Sequence, residues 1–384
     1  MATEIKEFDG AIDKGLEGVV SCTTKISAIM DTTLLYRGYT IEDLATYSTF
    51  EEVVFLLWND RLPIKEEFEK LKSELVSKMV LDSQAIALMR VLPTKNVVPM
   101  EYLRTVVSSL SLNDPDTRSN EPDANLRKAL RLTGQMGAIV AGFHRLREGK
   151  EILIPDPSQG VAWNFLWLLK GEKPSSKLAK MFDTCLILHA DHELNCSAFA
   201  ARVTTSSLSD LYSAVTSAIG ALKGPLHGGA NEQVMNMLLK IGSLASTKTF
   251  IEDAFQNKAK VMGIGHRVYK NGDPRARILK KMSEELTTET NNRHFYEMSV
   301  LIDDIMQEKK GLMPNVDFYS ATVYYCMGIP IDIYTPIFAV SRVAGWIAHV
   351  LEQYTNNRIY RPRGRYAGKL NQIFASKTPT SSPK

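Results

Sequence analysis

Along most of this chain apolar residues recur at three- and four-residue spacing, a pattern that buries one face of a helix and suits little else. The stretches "IEDLATYS" after Thr40, "FEEVVFLLWN", "KEEFEKLKSELVSKMV" and "MEYLRTVVSSLSL" each separate an apolar from a polar face this way. Further helices are predicted over 123–148, 159–170, 177–190, 208–222, 228–240, 248–257, 275–287, 294–309, 316–327 and 336–353. Strand character is confined to "GVVSCTTKISAIM" and "TTLLYRGYT", which predict a small N-terminal β ribbon. The fold class is therefore all-α with that minor ribbon. Loops rich in Pro, Asp, Asn and Gly fall at 113–122, 155–160 and 171–176, so short connections cross any domain boundary. The closing "SKTPTSSPK" has no apolar residue and is expected to lack structure.

A length of 384 residues is enough for two domains and an ample core. The net charge of +3 and the absence of a basic run or nucleic-acid motif argue against a nucleic-acid partner. "MATEIKEFDG" is acidic and lacks an apolar h-region, which predicts neither a secretory signal nor a transit peptide. Cys22, Cys185, Cys196 and Cys326 are scattered without CxxC spacing, as expected of buried, reduced thiols in a cytoplasmic protein. From Ile333 to Leu351 the sole formal charge is Arg342, placed centrally where lipid would penalise it. That segment reads as a buried core helix, not a membrane span.

Four of the seven histidines stand in unusual contexts: His189 and His192 in "HADHE", His227 in "KGPLHGGANE" and His266 in "GIGHRVYKNGDPRAR". His144, His294 and His349 lie on ordinary helical stretches and read as packing or surface residues. On a helix, His189 and His192 would share a face at metal-ligand spacing, yet the stretch matches neither HExxH nor HxxEH. A structural histidine pair and an anion-binding pair both remain open. Around His227, Gly224, Gly228 and Gly229 permit close approach to the backbone, but no phosphate-binding motif is present. A helix start near Ala230 would disfavour imidazolium, leaving a neutral ring able to donate to a developing oxyanion. A turn histidine without chemistry is the alternative.

Two isolated charges bear on that choice. Asp317 is the only charged residue between Lys310 and Asp332, and desolvation there would raise its pKa into the range of a general base. A helix cap near Pro314 and Asn315 is its other reading. A buried Arg342 cannot lose its proton and finds no acid in its own helix, so it needs a distant acid or a bound carboxylate. Arg275, after Asp273-Pro274, and Arg361, in "YRPRGRY", offer further planar forks for carboxylates, or are surface arginines.

Taken in order, "LHADHE", "KGPLHGGANE", "GIGHRVYKNGDPRA", "PNVDFYS", "TPIFAVSRVAGWIAH" and "RPR" resemble the citrate synthase family, and the likeness runs from "GLEGVV" to "RPRGRY". It is most similar to the dimeric Gram-positive type. The resemblance implies a large helical domain over 1–225 and 327–384 and a small CoA-binding domain over 226–326. It implies condensation of acetyl-CoA with oxaloacetate to citrate, with 2-methylcitrate synthase acting on propionyl-CoA as the alternative. His227 and Asp317 would enolise acetyl-CoA and His266 would polarise the oxaloacetate carbonyl. His192, Arg275, Arg342 and Arg361 would bind oxaloacetate, the last from the neighbouring subunit of a homodimer. Val261, Met262, Gly263, Ile264 and Gly265 would receive the CoA adenine, and Lys270 its phosphate. The resemblance implies no metal and no permanently bound cofactor, acetyl-CoA being a co-substrate. Ile264 stands where relatives often carry an aromatic residue. The chain starts at the common core, so inhibition by NADH is not expected.

Overall fold

The computed structural model describes residues 11–266, 268–269 and 271–370. Lys270 and the tail at 376–384 lie outside them. The chain divides into two compact units, one of Met1–Thr23 with Tyr360–Lys384 and one of Thr24–Ile359. In the first, a 3-10 turn spans Lys14–Leu16, and Asp13 accepts the Gly18 N–H at 3.0 Å.

The second unit opens with an antiparallel sheet of β1 (Ser27–Met30), β2 (Thr33–Tyr36) and β3 (Tyr39–Thr40), in that order, with Ser27 opposite Tyr36. The expected ribbon is present, but it begins only at Ser27 and gains a third short strand. Helices follow: α1 (Ile41–Tyr47), α2 (Phe50–Asn59), α3 (Lys65–Lys78), α4 (Ser83–Val91), α5 (Pro99–Leu110), α6 (Pro122–Arg147), α7 (Val161–Lys170) and α8 (Ser176–His189). Then come α9 (Cys196–Ser206), α10 (Leu211–Leu222), α11 (Ala230–Ile241), α12 (Leu244–Gln256), α13 (Pro274–Glu289), α14 (Arg293–Lys310), α15 (Val316–Cys326) and α16 (Tyr334–Thr355).

Residues placed just before the apolar runs start these helices. Thr40, Thr49, Asn195, Asp210, Asp273 and Asn315 each accept a first-turn N–H of the helix they precede. Each such cap is worth about 1 kcal/mol. Two helices went unpredicted, α4 and α9. The inward face of α9 carries Ser197, Ala198, Ala201, Arg202, Thr205 and Ser206, small or polar side chains that apolar periodicity does not register.

At the centre lies α16, packed against α2, α6, α8, α9 and α10, with every residue from Tyr334 to Val350 buried. It is the core helix the sequence predicts, and none of the described helices is long and apolar enough to cross a membrane. Helices α11 to α15 pack on one another, α11 and α13 against α15 and α12 against α14. Cys185 is buried and Cys22 and Cys326 are half-buried, but Cys196 is exposed at the first position of α9. The expectation of buried thiols fails there, because a helix capped at the surface displays its first residue.

Candidate active site

His227, His266 and Asp317 line one cavity of about 760 Å³, although they come from three distant parts of the chain. His227 sits on the turn between α10 and α11. Gly228 donates its N–H to the Leu222 carbonyl at 2.9 Å, and a Cβ on Gly228 would fall 2.5 Å from that same oxygen. Only glycine closes this turn. From α9, the Ser197 N–H lies 3.3 Å and its hydroxyl 2.8 Å from His227 Nε2. A backbone N–H can only donate, so Nε2 is the bare nitrogen and Nδ1 carries the ring proton. Trp346 Nε1 donates to the Ser197 hydroxyl at 3.0 Å and fixes it. Burial, assisted by Arg342, lowers the His227 pKa to about 4. The ring is neutral as the sequence suggests, with desolvation as the larger cause.

Residues 261–265 run alongside 313–315. Gly265 donates to the Met313 carbonyl (2.7 Å), the Asn315 N–H to that of Gly263 (2.9 Å) and Asn315 Nδ2 to that of Gly265 (2.9 Å). Gly263 has φ +74°, and a Cβ there would meet Val234 at 2.6 Å and the Phe318 backbone at 3.0 Å. This pairing delivers His266 just past one strand of it and Asp317 just past the other. His266 Nδ1 accepts the N–H groups of Val268 (3.0 Å) and Tyr269 (3.2 Å), so its proton sits on Nε2. Burial, then Arg275, brings its pKa to about 4. Asn315, not Asp317, caps α15, accepting the Asp317 N–H at 3.0 Å. Asp317 is 8% exposed, and among the described residues its Oδ1 has no hydrogen-bond partner. Burial raises its pKa to about 7 although Arg275 favours the anion.

Arg275 is buried in the first turn of α13, where Asp273 accepts from Nε (3.0 Å) and Nη2 (2.7 Å). Asp273 also accepts the Val316 N–H at 3.1 Å, tying the start of α13 to the start of α15. Burial opposes the Asp273 anion, but Arg275 outweighs it and holds the pKa low.

On α16, Thr335, Phe338 and Arg342 share one face. Arg342 is 1% exposed, and burial lowers its pKa to about 10. Its Nε donates to the His189 carbonyl at 2.6 Å and its guanidinium lies 4.7 Å from the Phe338 ring centre. Among the described residues no carboxylate forms an ion pair with it. A buried unpaired cation costs several kcal/mol, which a bound carboxylate would offset.

Helix α8 ends at His189, so His192 lies in the following loop and the two do not share a helix face. That corrects the metal-spacing reading. His189 places Nδ1 2.8 Å from the Cys185 carbonyl and its ring edge-on to Phe338, a packing role. His192 instead faces the site, its ring centre 5.2 Å from that of His266 and its Nε2 3.2 Å from the Tyr269 hydroxyl. Burial, followed by Arg275 and His266, keeps it neutral. His349, read as a packing or surface residue, is fully buried between Asp191 (3.3 Å) and Arg202 (3.0 Å).

Arg361 is exposed and belongs to the terminal unit. Residues 261–265 line the cavity, joined by Lys258, Lys260 and Lys310, which the sequence reading passed over. The alternating lysines of "NKAKVMGIG" were the available signal. Ser197, Tyr269 and Asp273 were also missed, for only the folded chain brings them to the histidines and Arg275. The arrangement suits removal of a proton from carbon by Asp317, with neutral imidazole donors for the oxyanion and arginines for a carboxylate-bearing electrophile.

The family model for the citrate synthase C-terminal domain matches residues 15–363. Citrate synthase 2 of Bacillus subtilis is 51% identical over 361 residues, covering 94% of this chain and 97% of its own. 2-Methylcitrate synthase 1 of Corynebacterium glutamicum is 40% identical, covering 94% of this chain and 96% of its own. The citrate synthase of Thermoplasma acidophilum, solved as a ternary complex with carboxymethyl coenzyme A and oxaloacetate, superimposes with a TM-score of 0.90 at 33% identity, covering 96% of this chain and 99% of that one.

Proposed function

Because the chain belongs to the citrate synthase family, we propose that its cavity is the site where acetyl-CoA condenses with oxaloacetate and water to give citrate and CoA. The product makes this the first step of the tricarboxylic acid cycle. The observation that carries the assignment is Asp317, a buried carboxylate whose Oδ1 has no partner among the described residues and which lines the same cavity as His227 and His266.

Asp317 takes a methyl proton from acetyl-CoA while His227 Nδ1–H donates to the thioester oxygen, giving the enol. His266 Nε2–H polarises the oxaloacetate carbonyl and gives up its proton as the new carbon–carbon bond forms. Water then cleaves the citryl thioester and releases CoA. His192, Arg275 and Arg342 bind oxaloacetate, and the free charge of Arg342 supports that role. Residues 261–265 receive the adenine, and Lys258, Lys260 and Lys310 supply positive charge for CoA phosphates together with Lys270. Hydrogen bonds and arginines meet the developing charge, so acetyl-CoA serves as a co-substrate and no resident cofactor is assigned a step.

We place the small domain at 226–326, closing over the remainder to keep water from the enol. The assembly is a cytoplasmic homodimer in which Arg361 reaches the neighbouring subunit's site. Thiol release with oxaloacetate and either acetyl-CoA or propionyl-CoA tests the substrate. One pocket methylene is worth about 1–3 kcal/mol, so some turnover of both is expected, with higher kcat/KM for acetyl-CoA. A clear preference for propionyl-CoA would make the chain a 2-methylcitrate synthase.

A further inference from the structure

Two residues outside this chemistry join the halves of the site. Glu232 lies in the first turn of α11, just after the His227 turn, and Thr335 is the second residue of α16. The Thr335 hydroxyl donates to Glu232 Oε1, and the Thr335 N–H reaches the same oxygen at 3.2 Å. That hydroxyl also lies 3.3 Å from the carbonyl of Gly228, the residue following His227. Gly228 is held through its N–H by Leu222, and its carbonyl lies against the Thr335 hydroxyl, whose single proton goes to Glu232.

The first N–H groups of α16 have no partner within the helix, and an ionised carboxylate there also meets the positive end of its dipole. Glu232 brings a carboxylate oxygen there from another helix; burial raises its pKa, although the Thr335 bonds favour the anion. It borders a second cavity, of about 710 Å³, where Arg147 is a competing cation. Arg147, however, is committed to Asp332 through both terminal nitrogens, leaving Glu232 to Thr335. One turn beyond Thr335 is Phe338, whose ring centre lies 6.4 Å from that of His227, and the same face continues to Arg342.

We propose that Glu232 and Thr335 are positioning residues that hold the His227 turn in register with the Arg342 face of α16. The pair aligns the group that activates one substrate with the group that holds the other. This rests on the roles given above to His227 and Arg342. A slip at the pair leaves each substrate its own contacts and spoils their mutual approach, so kcat suffers and the KM values do not.

Steady-state kinetics on the full-length chain carrying Thr335→Val, Thr335→Ser, Glu232→Ala or Glu232→Gln test it. A misplacement of about 1 Å costs on the order of 10²-fold, so Val and Ala should lower kcat at least ~10-fold with both KM values within about threefold. Ser keeps the donor and Gln the acceptor, and each should return kcat to within about threefold of wild type. The Val/Ala double variant should fall no further than the worse single. Unchanged kcat in Glu232→Ala, or Ser and Gln variants as impaired as Val and Ala, would overturn the proposal, even where Thr335→Val fails to fold. His227→Ala is measured alongside. Full activity there defeats the role of His227 itself; an inactive His227→Ala beside an active Glu232→Ala defeats only the pairing.

Discussion

Asp317 carries its charge at a cost that function explains and folding does not. A rise from 3.8 to about 7 corresponds to roughly 4 kcal/mol against the ionised form in the folded protein. The folded state binds this proton more tightly than the unfolded state. The penalty is therefore absent below the unfolded pKa, grows as pH rises and is complete above about 7. Asp317→Asn should accordingly raise the melting temperature more at pH 8 than at pH 5, as calorimetry at the two values will report. The same proton governs rate: kcat/KM for acetyl-CoA should climb through a midpoint near 7 as the base is freed, then level. Asp317, Arg342 and His227 were legible in the sequence because each is polar against apolar or glycine-rich surroundings. Asp273 was not, since an acid two residues before Arg275 looks like a helix cap, and only the fold shows that it also grips the guanidinium.

At the scale of elements, the β ribbon does more for the site than its length suggests. The Tyr36 hydroxyl donates to the Asp191 carbonyl (2.7 Å) and accepts the Asp191 N–H (3.0 Å). Ser27 donates to the Asp191 carboxylate (2.5 Å) and accepts the Glu193 N–H (2.8 Å). Two strands thereby clasp the loop that carries His192. Tyr36→Phe strips both bonds from a buried backbone group, a loss of about 1–3 kcal/mol. It should raise KM for oxaloacetate about tenfold, as that energy implies, and leave KM for acetyl-CoA unchanged. Initial rates with each substrate varied in turn will check this. Most of the large helices were legible from periodicity, α16 above all. Helix α9 was not, because its buried face of Ser197, Ala198 and Ala201 lacks large apolar side chains, and with it went the serine that orients His227.

For the whole molecule, the net charge of +3 says little, and the few charges held inside say more. If Arg361 serves the neighbouring subunit, Arg361→Leu and Asp317→Gly subunits should complement one another. A mixed dimer then holds one site with Asp317 and Arg361 both intact, so random reassortment restores roughly a quarter of wild-type activity. No gain on mixing would place Arg361 elsewhere. The central claim is that Asp317 removes the methyl proton of acetyl-CoA. It is tested most directly by CoA release in the presence of oxaloacetate, comparing the wild type with Asp317→Gly. Loss of a positioned base should slow release on the order of 10³-fold while oxaloacetate still binds. Release by the variant at the wild-type rate would contradict it.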